Sequence, residues 1–230
     1  MITAQDYATQ AADSHWATQF EKRQENLEAK GTPRSVAAFL CNGADPGWPF
    51  MRGVSSWLHG QRRFLVLRGP SYKGKTLAAC SAFLDHTFDY EWFAPTAQGQ
   101  EPIIVRNRSW AYGRFVPAAT FQGWSKAPFG DSGTRQREML GEARSAPLLI
   151  LDDLGTELAD MRALLTDLVS YRTTAFTAES KMYPASPLRT IFTTNLSELE
   201  LAELYGDRVL NRLRAEGEIL ESTLEREWRR

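Results

Sequence analysis

The chain contains 230 residues, of which 43% are hydrophobic and 24% are charged. This composition is typical of a globular protein with one substantial domain, and it excludes a collagen-like, low-complexity or mainly disordered chain. The 27 Lys and Arg residues nearly balance the 28 Asp and Glu residues, which leaves a net charge of −1. Because no overall charge attracts nucleic acid or anionic lipid, any DNA contact is expected to come from a local patch.

The sequence gives no sign of an export signal or a membrane span. The amino-terminal residues lack a basic segment followed by an apolar one, and apolar runs such as Val36–Cys41 are far too short to cross a bilayer. Cys41 and Cys80 lie far apart and lack metal-ligand spacing. We therefore expect a soluble cytoplasmic protein without disulfides or a zinc centre.

A helical arm is predicted ahead of the main domain, over residues 1–46. Trp16, Phe20 and Leu27 lie on one side of its first helix, where they could pack on the chain's own domain or dock a partner protein. Thr32, as N-cap, and Pro33, at the first helical position, are predicted to begin a second helix.

The main domain is predicted to span residues 47–230, after a turn-rich boundary segment. Pro117 favours an edge position, or the end of the strand, for the second predicted strand of this domain. Alternating helices and strands favour a parallel sheet covered on both faces, an α/β fold. Helices are predicted at residues 50–59, 75–86, 134–145, 161–173, 198–205 and 207–215, and strands at residues 63–67, 114–120, 147–151 and 188–194.

A glycine-rich segment lies between the first predicted strand and the next helix. It matches the phosphate-loop pattern G-x-x-x-x-G-K-[ST] at every defined position. In such a loop the backbone N–H groups face the phosphates, the lysine neutralises β- and γ-phosphate oxygens, and the final hydroxyl binds Mg²⁺. A glycine-rich turn with solvated lysines is the alternative. The predicted ATP-binding residues are Gly69, Pro70, Ser71, Tyr72, Lys73, Gly74, Lys75 and Thr76.

An apolar strand ending in acidic residues is predicted at residues 147–153. It would carry Asp152 and Asp153 to the sheet edge beside the phosphate loop. By analogy with other phosphate-loop ATPases, Asp152 is assigned to Mg²⁺ together with Thr76, and Asp153 to the general base. Glu157 is a second candidate for the base, since the intervening loop could fold it back. An ordinary strand-to-loop junction is the alternative.

The last predicted strand ends in Asn195. At the same sheet edge its amide could orient the lytic water and contact the γ-phosphate, the arrangement called sensor 1. The alternative is that Asn195 caps the helix beginning near Ser197.

The order of these motifs resembles that of the AAA+ ATPases of the DnaC helicase-loader and IstB transposition-helper group. The resemblance covers about residues 50–215 and rests on the phosphate loop followed by LDDLGTE, TTNL and GDRVLNRL. It implies a P-loop NTPase sheet with little or no carboxy-terminal lid domain. It also implies hydrolysis of ATP with Mg²⁺ that is slow without partner or DNA.

In that family the last motif carries an arginine finger, which reaches the γ-phosphate of a neighbouring subunit. Arg208 and Arg212 are four residues apart on one predicted helix, so both could face a second copy of the chain. The resemblance thus implies a homo-oligomer, with Arg208 slightly favoured. The alternative is that the two arginines pair with Asp207, Glu216 or Glu218 on a solvated surface.

Two stretches depart from the family pattern. Residues 89–112 form a long aromatic insertion, and residues 181–187 also look extended, so both are candidates for partner-specific loops. Little chain follows Leu213, so a full lid with its arginine sensor is not expected. Nucleotide affinity would then depend on oligomer formation.

Two basic clusters are candidates for contact with single-stranded DNA, because arginines bind phosphates and aromatic rings stack on bases. Ordinary surface arginines explain the same patterns. The clusters are Arg62 with Arg63, and Arg106 with Arg108 upstream of Trp110 and Tyr112.

The motifs favour an ATPase that loads or remodels a partner on DNA, with a DnaC-like loader of a replicative helicase as the leading hypothesis. An IstB-like helper of a transposase is the nearest alternative, which the motifs do not separate from the first. A nucleoside kinase shares the phosphate loop, but the Asp-Asp strand, Asn195 and the arginine pair argue against it. A nucleotide-dependent adaptor that does not hydrolyse ATP is the last alternative.

Overall fold

A computed structural model describes most of the chain and locates every predicted residue of the nucleotide site. Trp16, Phe20, Arg108, Trp110 and Tyr112 lie outside the described residues, together with the predictions that involve them. The described residues are 21–42, 49–84, 113–128, 130–157, 161–176 and 187–221, with the backbone alone of 91–93 and 104–106.

The described part of the chain contains seven strands in two sheets. A central sheet of five parallel strands has the order β4-β5-β6-β1-β7, and β2 and β3 form a separate antiparallel pair within the aromatic insertion. The strands are β1 (Phe64–Arg68), β2 (Glu91–Phe93), β3 (Ile104–Arg106), β4 (Arg114–Pro117), β5 (Leu148–Leu154), β6 (Arg189–Thr194) and β7 (Gly217–Glu221).

Nine helical segments occur among the described residues, and together they cover both faces of the central sheet. No helix in this part of the chain has the length and apolarity needed to cross a membrane. The helices are α1 (residues 21–29), α2 (Arg34–Cys41), α3 (Pro49–His59), α4 (Lys75–Ser81), α5 (Ala118–Ser125), α6 (Asp131–Ser145), α7 (Arg162–Thr174), α8 (Glu198–Tyr205) and α9 (Asp207–Glu216).

The side chains of β1 alternate between two apolar cores, as the two-residue period of a strand requires. Leu65 and Leu67 pack with α1 to α4, whereas Phe64 and Val66 pack with α5 to α9. The strand is buried on both faces, as expected for the middle of a parallel sheet. The predicted α/β fold, a parallel sheet flanked by helices, is therefore confirmed.

Three local predictions are corrected. The second helix begins at Arg34 with Pro33 as its N-cap, so Thr32 is not the N-cap. The strand predicted at residues 114–120 is β4, which ends at Pro117. Helix α5 follows directly, because Ala118 and Phe121 are buried on one face of a helix. Strand β7 was missed, since its sequence GEILE lacks a continuous apolar run. The edge position predicted from Pro117 is confirmed.

Helices α1 and α2 pack against the same core as α4. Leu27, the one member of the predicted amino-terminal stripe that the structure describes, is 1% exposed within this core. The Phe115 backbone N–H donates to the Lys30 carbonyl at 2.7 Å, which joins the turn after α1 to β4. A side chain at Gly31 would place its Cβ 2.4 Å from the Phe115 carbonyl oxygen, so this approach requires glycine.

Arginine side chains hold the helix ends at the amino-terminal edge of the central sheet. Arg172 is fully buried and donates to the Arg144 carbonyl of α6 at 2.7 Å, and Arg189 donates to the Leu58 carbonyl of α3 at 2.6 Å. Arg63 donates to the Ala175 carbonyl after α7, and Arg62 to the Ala215 carbonyl of α9. The positive charges complement the unsatisfied carbonyls and the negative end of each helix dipole.

These contacts bear on the first basic cluster considered for DNA. Arg62 and Arg63 each bind the end of a different helix, and the Arg63 guanidinium also stacks on the Phe176 ring at 4.7 Å. The two side chains therefore bind groups of the protein itself and do not form one basic patch.

Candidate nucleotide site

The predicted site residues meet at the carboxyl edge of three adjacent strands. Strand β6 lies between β1, which leads into the phosphate loop, and β5, which carries the acidic residues. Asn195, which follows β6, is thereby placed between the loop and the acids. The Gly69 N–H donates to the Thr194 carbonyl at 3.2 Å, which continues the pairing of β1 and β6 into the loop.

The phosphate loop depends on three residues in the left-handed region of backbone conformation. Gly74, which directly precedes α4, has a φ of +75°, and Gly69 has a φ of +144°. Tyr72, at the centre of the loop, has a φ of +62°. The residue is 94% exposed, so no packing of its side chain accounts for this conformation. A positive φ is sterically unfavourable for a bulky residue such as tyrosine, whereas glycine adopts it without this cost.

Lys75, the first residue of α4, makes the polar contacts that hold the loop. The residue is 7% exposed, and its ammonium group donates to three oxygens: the Gly69 and Pro70 carbonyls at 2.8 Å each and Asn195 Oδ1 at 2.7 Å. Burial lowers the pKa of Lys75, while the charges of Asp153 and Asp152 oppose this shift. A buried ammonium surrounded by oxygens is the environment that phosphate oxygens would also supply.

A β-bulge in β5 places Asp152 and Asp153 opposite the same residue of β6. Leu151 pairs with Phe192 and Leu154 with Thr194, so both acidic residues lie opposite the single residue Thr193. In a regular strand, neighbouring side chains point to opposite faces, and a bulge removes that alternation.

Thr193 bonds to both residues of the bulge. Its hydroxyl donates to Asp152 Oδ1 at 2.6 Å and accepts from the Asp153 backbone N–H at 2.8 Å. The otherwise unpaired amide of the bulge is thus satisfied by a side chain. The role of Thr193 was not predicted from the sequence, where its one signal is a hydroxyl residue two positions before Asn195.

The Thr76 hydroxyl also donates to Asp152 Oδ1, at 2.9 Å. Burial raises the pKa of Asp152, and the hydrogen bonds from Thr193 and Thr76 oppose this shift. One carboxylate and one hydroxyl, completed by phosphate oxygens and water, form the ligand set that Mg²⁺ prefers. The predicted pair of Mg²⁺ ligands, Thr76 and Asp152, is therefore in contact and fits the ion.

Asp153 has a φ of +63°, which is unusual for a residue other than glycine. Its carbonyl accepts from the Thr156 hydroxyl at 2.8 Å, which closes the turn after β5. Strained backbone of this kind is concentrated at functional sites. The conformation supports Asp153, the first candidate for the general base, as a functional residue.

Glu157, the second candidate for the base, is bound by other groups of the protein. The Tyr205 hydroxyl donates to its two carboxylate oxygens at 2.9 and 3.0 Å, and the Gly155 N–H donates at 2.8 Å. The loop carries Glu157 to the end of α8, where these bonds hold its carboxylate. Tyr205 is not predictable from sequence patterns, because only the packing of α8 places it there.

Asn195 does not cap α8. Ser197 is the N-cap, and it forms a capping box with Glu200, in which each side chain bonds to the other residue's backbone N–H. The alternative interpretation of Asn195 as a helix cap is therefore wrong. Its amide oxygen is instead directed to Lys75.

Arg208 and Arg212 both lie on α9, Arg208 exposed and Arg212 partly buried. Among the described residues, neither side chain forms a hydrogen bond or an ion pair, and the pairing considered with Asp207, Glu216 or Glu218 does not occur there. On the same helix Arg214 pairs with Glu198, its Nε lying 3.0 Å from a carboxylate oxygen.

Comparisons with known proteins find structural neighbours only. No protein-family model matches the chain, and no curated protein sequence matches it significantly. The crystal structure of the DnaC helicase loader is similar, with 19% identity, a TM-score of 0.47, and coverage of 74% of this chain and 85% of that chain. The crystal structure of DnaI is similar, with 18% identity, a TM-score of 0.45, and coverage of 75% of this chain and 77% of that chain. At this level of identity, the chain's own site residues carry the functional assignment.

Replacing Thr193 with valine tests the bulge. Thr193→Val keeps the shape of the side chain but leaves the Asp153 N–H and Asp152 Oδ1 each without one partner, which should cost about 1–3 kcal/mol of unfolding free energy. We expect a lower urea midpoint and weaker Mg²⁺-dependent ATP binding by calorimetry. The control is Thr166→Val, because the Thr166 hydroxyl bonds only to the Arg162 carbonyl of its own helix. Equal effects in both variants would refute the assigned role.

Proposed function

We propose that the chain is a Mg²⁺-dependent ATPase of the AAA+ type that loads or remodels a replicative helicase on DNA. The observation that carries the ATPase proposal is the convergence of two adjacent hydrogen-bonded pairs, Lys75 with Asn195 and Thr76 with Asp152, with Asp153 beside them on the bulge. The helicase as partner is supported by the order of the motifs, which resembles that of the DnaC group.

Each residue of this group has a distinct task in ATP hydrolysis. The loop amides and Lys75 bind the phosphates, and Thr76 and Asp152 hold Mg²⁺, which neutralises charge on the phosphate oxygens. Asp153 accepts a proton from the attacking water, and the water oxygen forms a bond to the γ-phosphorus. The bond from that phosphorus to the bridging oxygen breaks, and ADP leaves. Asn195, beside Lys75, orients the water.

The length of α9 favours Arg208 over Arg212 as the residue that acts on a neighbouring site. The helix leads directly into β7 and packs against it, so the two elements run in opposite directions. Ten helical residues span about 15 Å, and five strand residues span about 16 Å. The start of α9 therefore lies level with Glu221, at the carboxyl edge of the sheet, and Arg208 lies one turn closer to that edge than Arg212.

Variants of the phosphate loop and of the bulge should separate binding from hydrolysis. Lys75→Ala removes the ammonium from the phosphates and should abolish ATP binding, whereas Asp153→Asn should bind ATP normally and lose turnover. Calorimetry measures the first property and phosphate release the second. Unchanged affinity in Lys75→Ala would refute the phosphate-binding assignment, and full turnover in Asp153→Asn would exclude Asp153 as the base.

Mixing two inactive variants tests whether Arg208 acts on the site of another subunit. Arg208→Ala and Lys75→Ala should each lack ATPase activity alone, because one lacks the finger and the other the phosphate site. In an equal mixture roughly a quarter of the sites would combine an intact Lys75 with a neighbour's intact Arg208, so activity should partly return.

The control for mixing is Arg214→Ala, which removes an arginine of the same helix that is already paired with Glu198. It should remain active alone. A mixture that stays inactive would argue against a site shared between subunits.

The partner is tested with purified proteins. Immobilised Asp153→Asn, held with ATP and Mg²⁺, should retain a replicative helicase from the same host, and Lys75→Ala should not. Retention of a transposase instead would support the IstB-like helper, and the absence of any ATP-dependent partner would favour the adaptor.

A further inference from the structure

A partly buried hydrogen-bonded pair connects the loop after β5 to the end of α8, just before α9 begins. The Tyr205 hydroxyl donates to both carboxylate oxygens of Glu157, and one of these oxygens also accepts from the Gly155 N–H. Tyr205 is 2% exposed, and its ring packs in the core that holds β5 and α9. The pair therefore joins two segments that are far apart in sequence.

Both segments carry a residue of the proposed reaction. Asp153 lies four residues before Glu157, and the turn between them is closed by the bond from Thr156 to the Asp153 carbonyl. Tyr205 is the last residue of α8, and Arg208 follows within the first turn of α9. The hydroxyl of Tyr205 thus makes a polar contact between the Asp153 turn and the end of α8, from which the Arg208 helix begins two residues later.

The end of α8 does not depend on this hydroxyl for its folding. The guanidinium group of Arg162 donates to the carbonyls of Glu203 and Leu204 and holds the same helix end. Removal of the Tyr205 hydroxyl should therefore loosen the connection to the Asp153 turn without unfolding α8.

The Tyr205 hydroxyl stays protonated at neutral pH. Burial and the adjacent Glu157 carboxylate raise its pKa, and a phenol with a raised pKa remains a hydrogen-bond donor. The direction of the bond is therefore fixed, from Tyr205 to Glu157.

We propose that Tyr205 is a positioning residue that, through Glu157, holds the Asp153 turn in a fixed relation to the helix bearing Arg208. This inference rests on the proposed ATPase activity. It assigns Glu157 to the position of the turn and leaves the general base to Asp153. A subunit that contacts Arg208 then acts on a helix start that is bonded to the catalytic turn.

The test compares ATP hydrolysis in matched variants. Tyr205→Phe removes only the hydroxyl and should lower kcat about tenfold, since small displacements of a catalytic group are costly, while the KM for ATP and the urea midpoint stay close to those of the wild type. Glu157→Ala should have the same effect, and the double variant should be no slower than either single one, because both remove one interaction. Tyr171→Phe, on the partly exposed α7 tyrosine, is the control and should not change kcat.

Glu157→Gln separates positioning from proton transfer. Its amide oxygen still accepts from Tyr205 and Gly155, so kcat should remain within about threefold of the wild type, whereas a glutamine cannot serve as a base. Loss of activity in Glu157→Gln with full activity in Tyr205→Phe would overturn the proposal and make Glu157 the base.

Hydrogen exchange without nucleotide tests the connection independently of turnover. Tyr205→Phe should speed amide exchange in residues 153–157 and 206–209 but not in the phosphate loop. Unchanged exchange in both segments would overturn the proposal even if kcat falls. A wild-type protein that does not hydrolyse ATP would instead refute the proposed function, and the exchange result would still decide whether the connection exists.

Discussion

The hydroxyl of Thr193 holds together the part of the molecule on which the candidate chemistry depends. It donates to Asp152 and accepts from the backbone of Asp153, so one side chain satisfies both residues of the bulge. Without a bulge, two adjacent residues of β5 would point to opposite faces of the sheet. With it, both carboxylates lie close enough to Lys75 to act on the pKa of its ammonium group. The position of two negative charges beside the phosphate loop thus follows from a single irregularity in strand pairing.

The opposite edge of the sheet explains why such an irregularity can be maintained. In the described part of the chain, the last helix before each of β1, β5, β6 and β7 has an arginine bound at its carboxyl end, so the carbonyls there are satisfied by fixed charges. Burial lowers the pKa of Arg172 to about 9, yet the group remains charged at neutral pH. Polar contacts therefore hold the helix ends in place at the amino-terminal edge of the sheet. Among the described residues, the two non-glycine residues with positive φ, Asp153 and Tyr72, lie at the other edge, and strained backbone of this kind is concentrated at functional sites.

Sequence patterns predicted the features that depend on local order. The phosphate loop, the acidic strand and the strand before Asn195 each combine a short apolar run with a polar end, so the parallel sheet and the contacts among these residues could be expected. Thr193 and Tyr205 could not, because their partners are set by a shift of strand register and by the packing of α8. The helix-cap alternative for Asn195 failed for a local reason, since the capping box at Ser197 satisfies that helix start by itself.

The contacts of Lys75 have a consequence for how the site would respond to nucleotide. All three donors of the ammonium group are in use, two on carbonyls of the loop itself and one on Asn195. A phosphate oxygen that binds Lys75 must replace at least one of them, and a charged oxygen is a stronger acceptor than a neutral amide. The loop carbonyls belong to the same short segment as the lysine, whereas Asn195 belongs to a different strand. Replacement of Asn195 would free its amide when a γ-phosphate arrives beside it, so the residue proposed to orient the lytic water would be released by the phosphate itself.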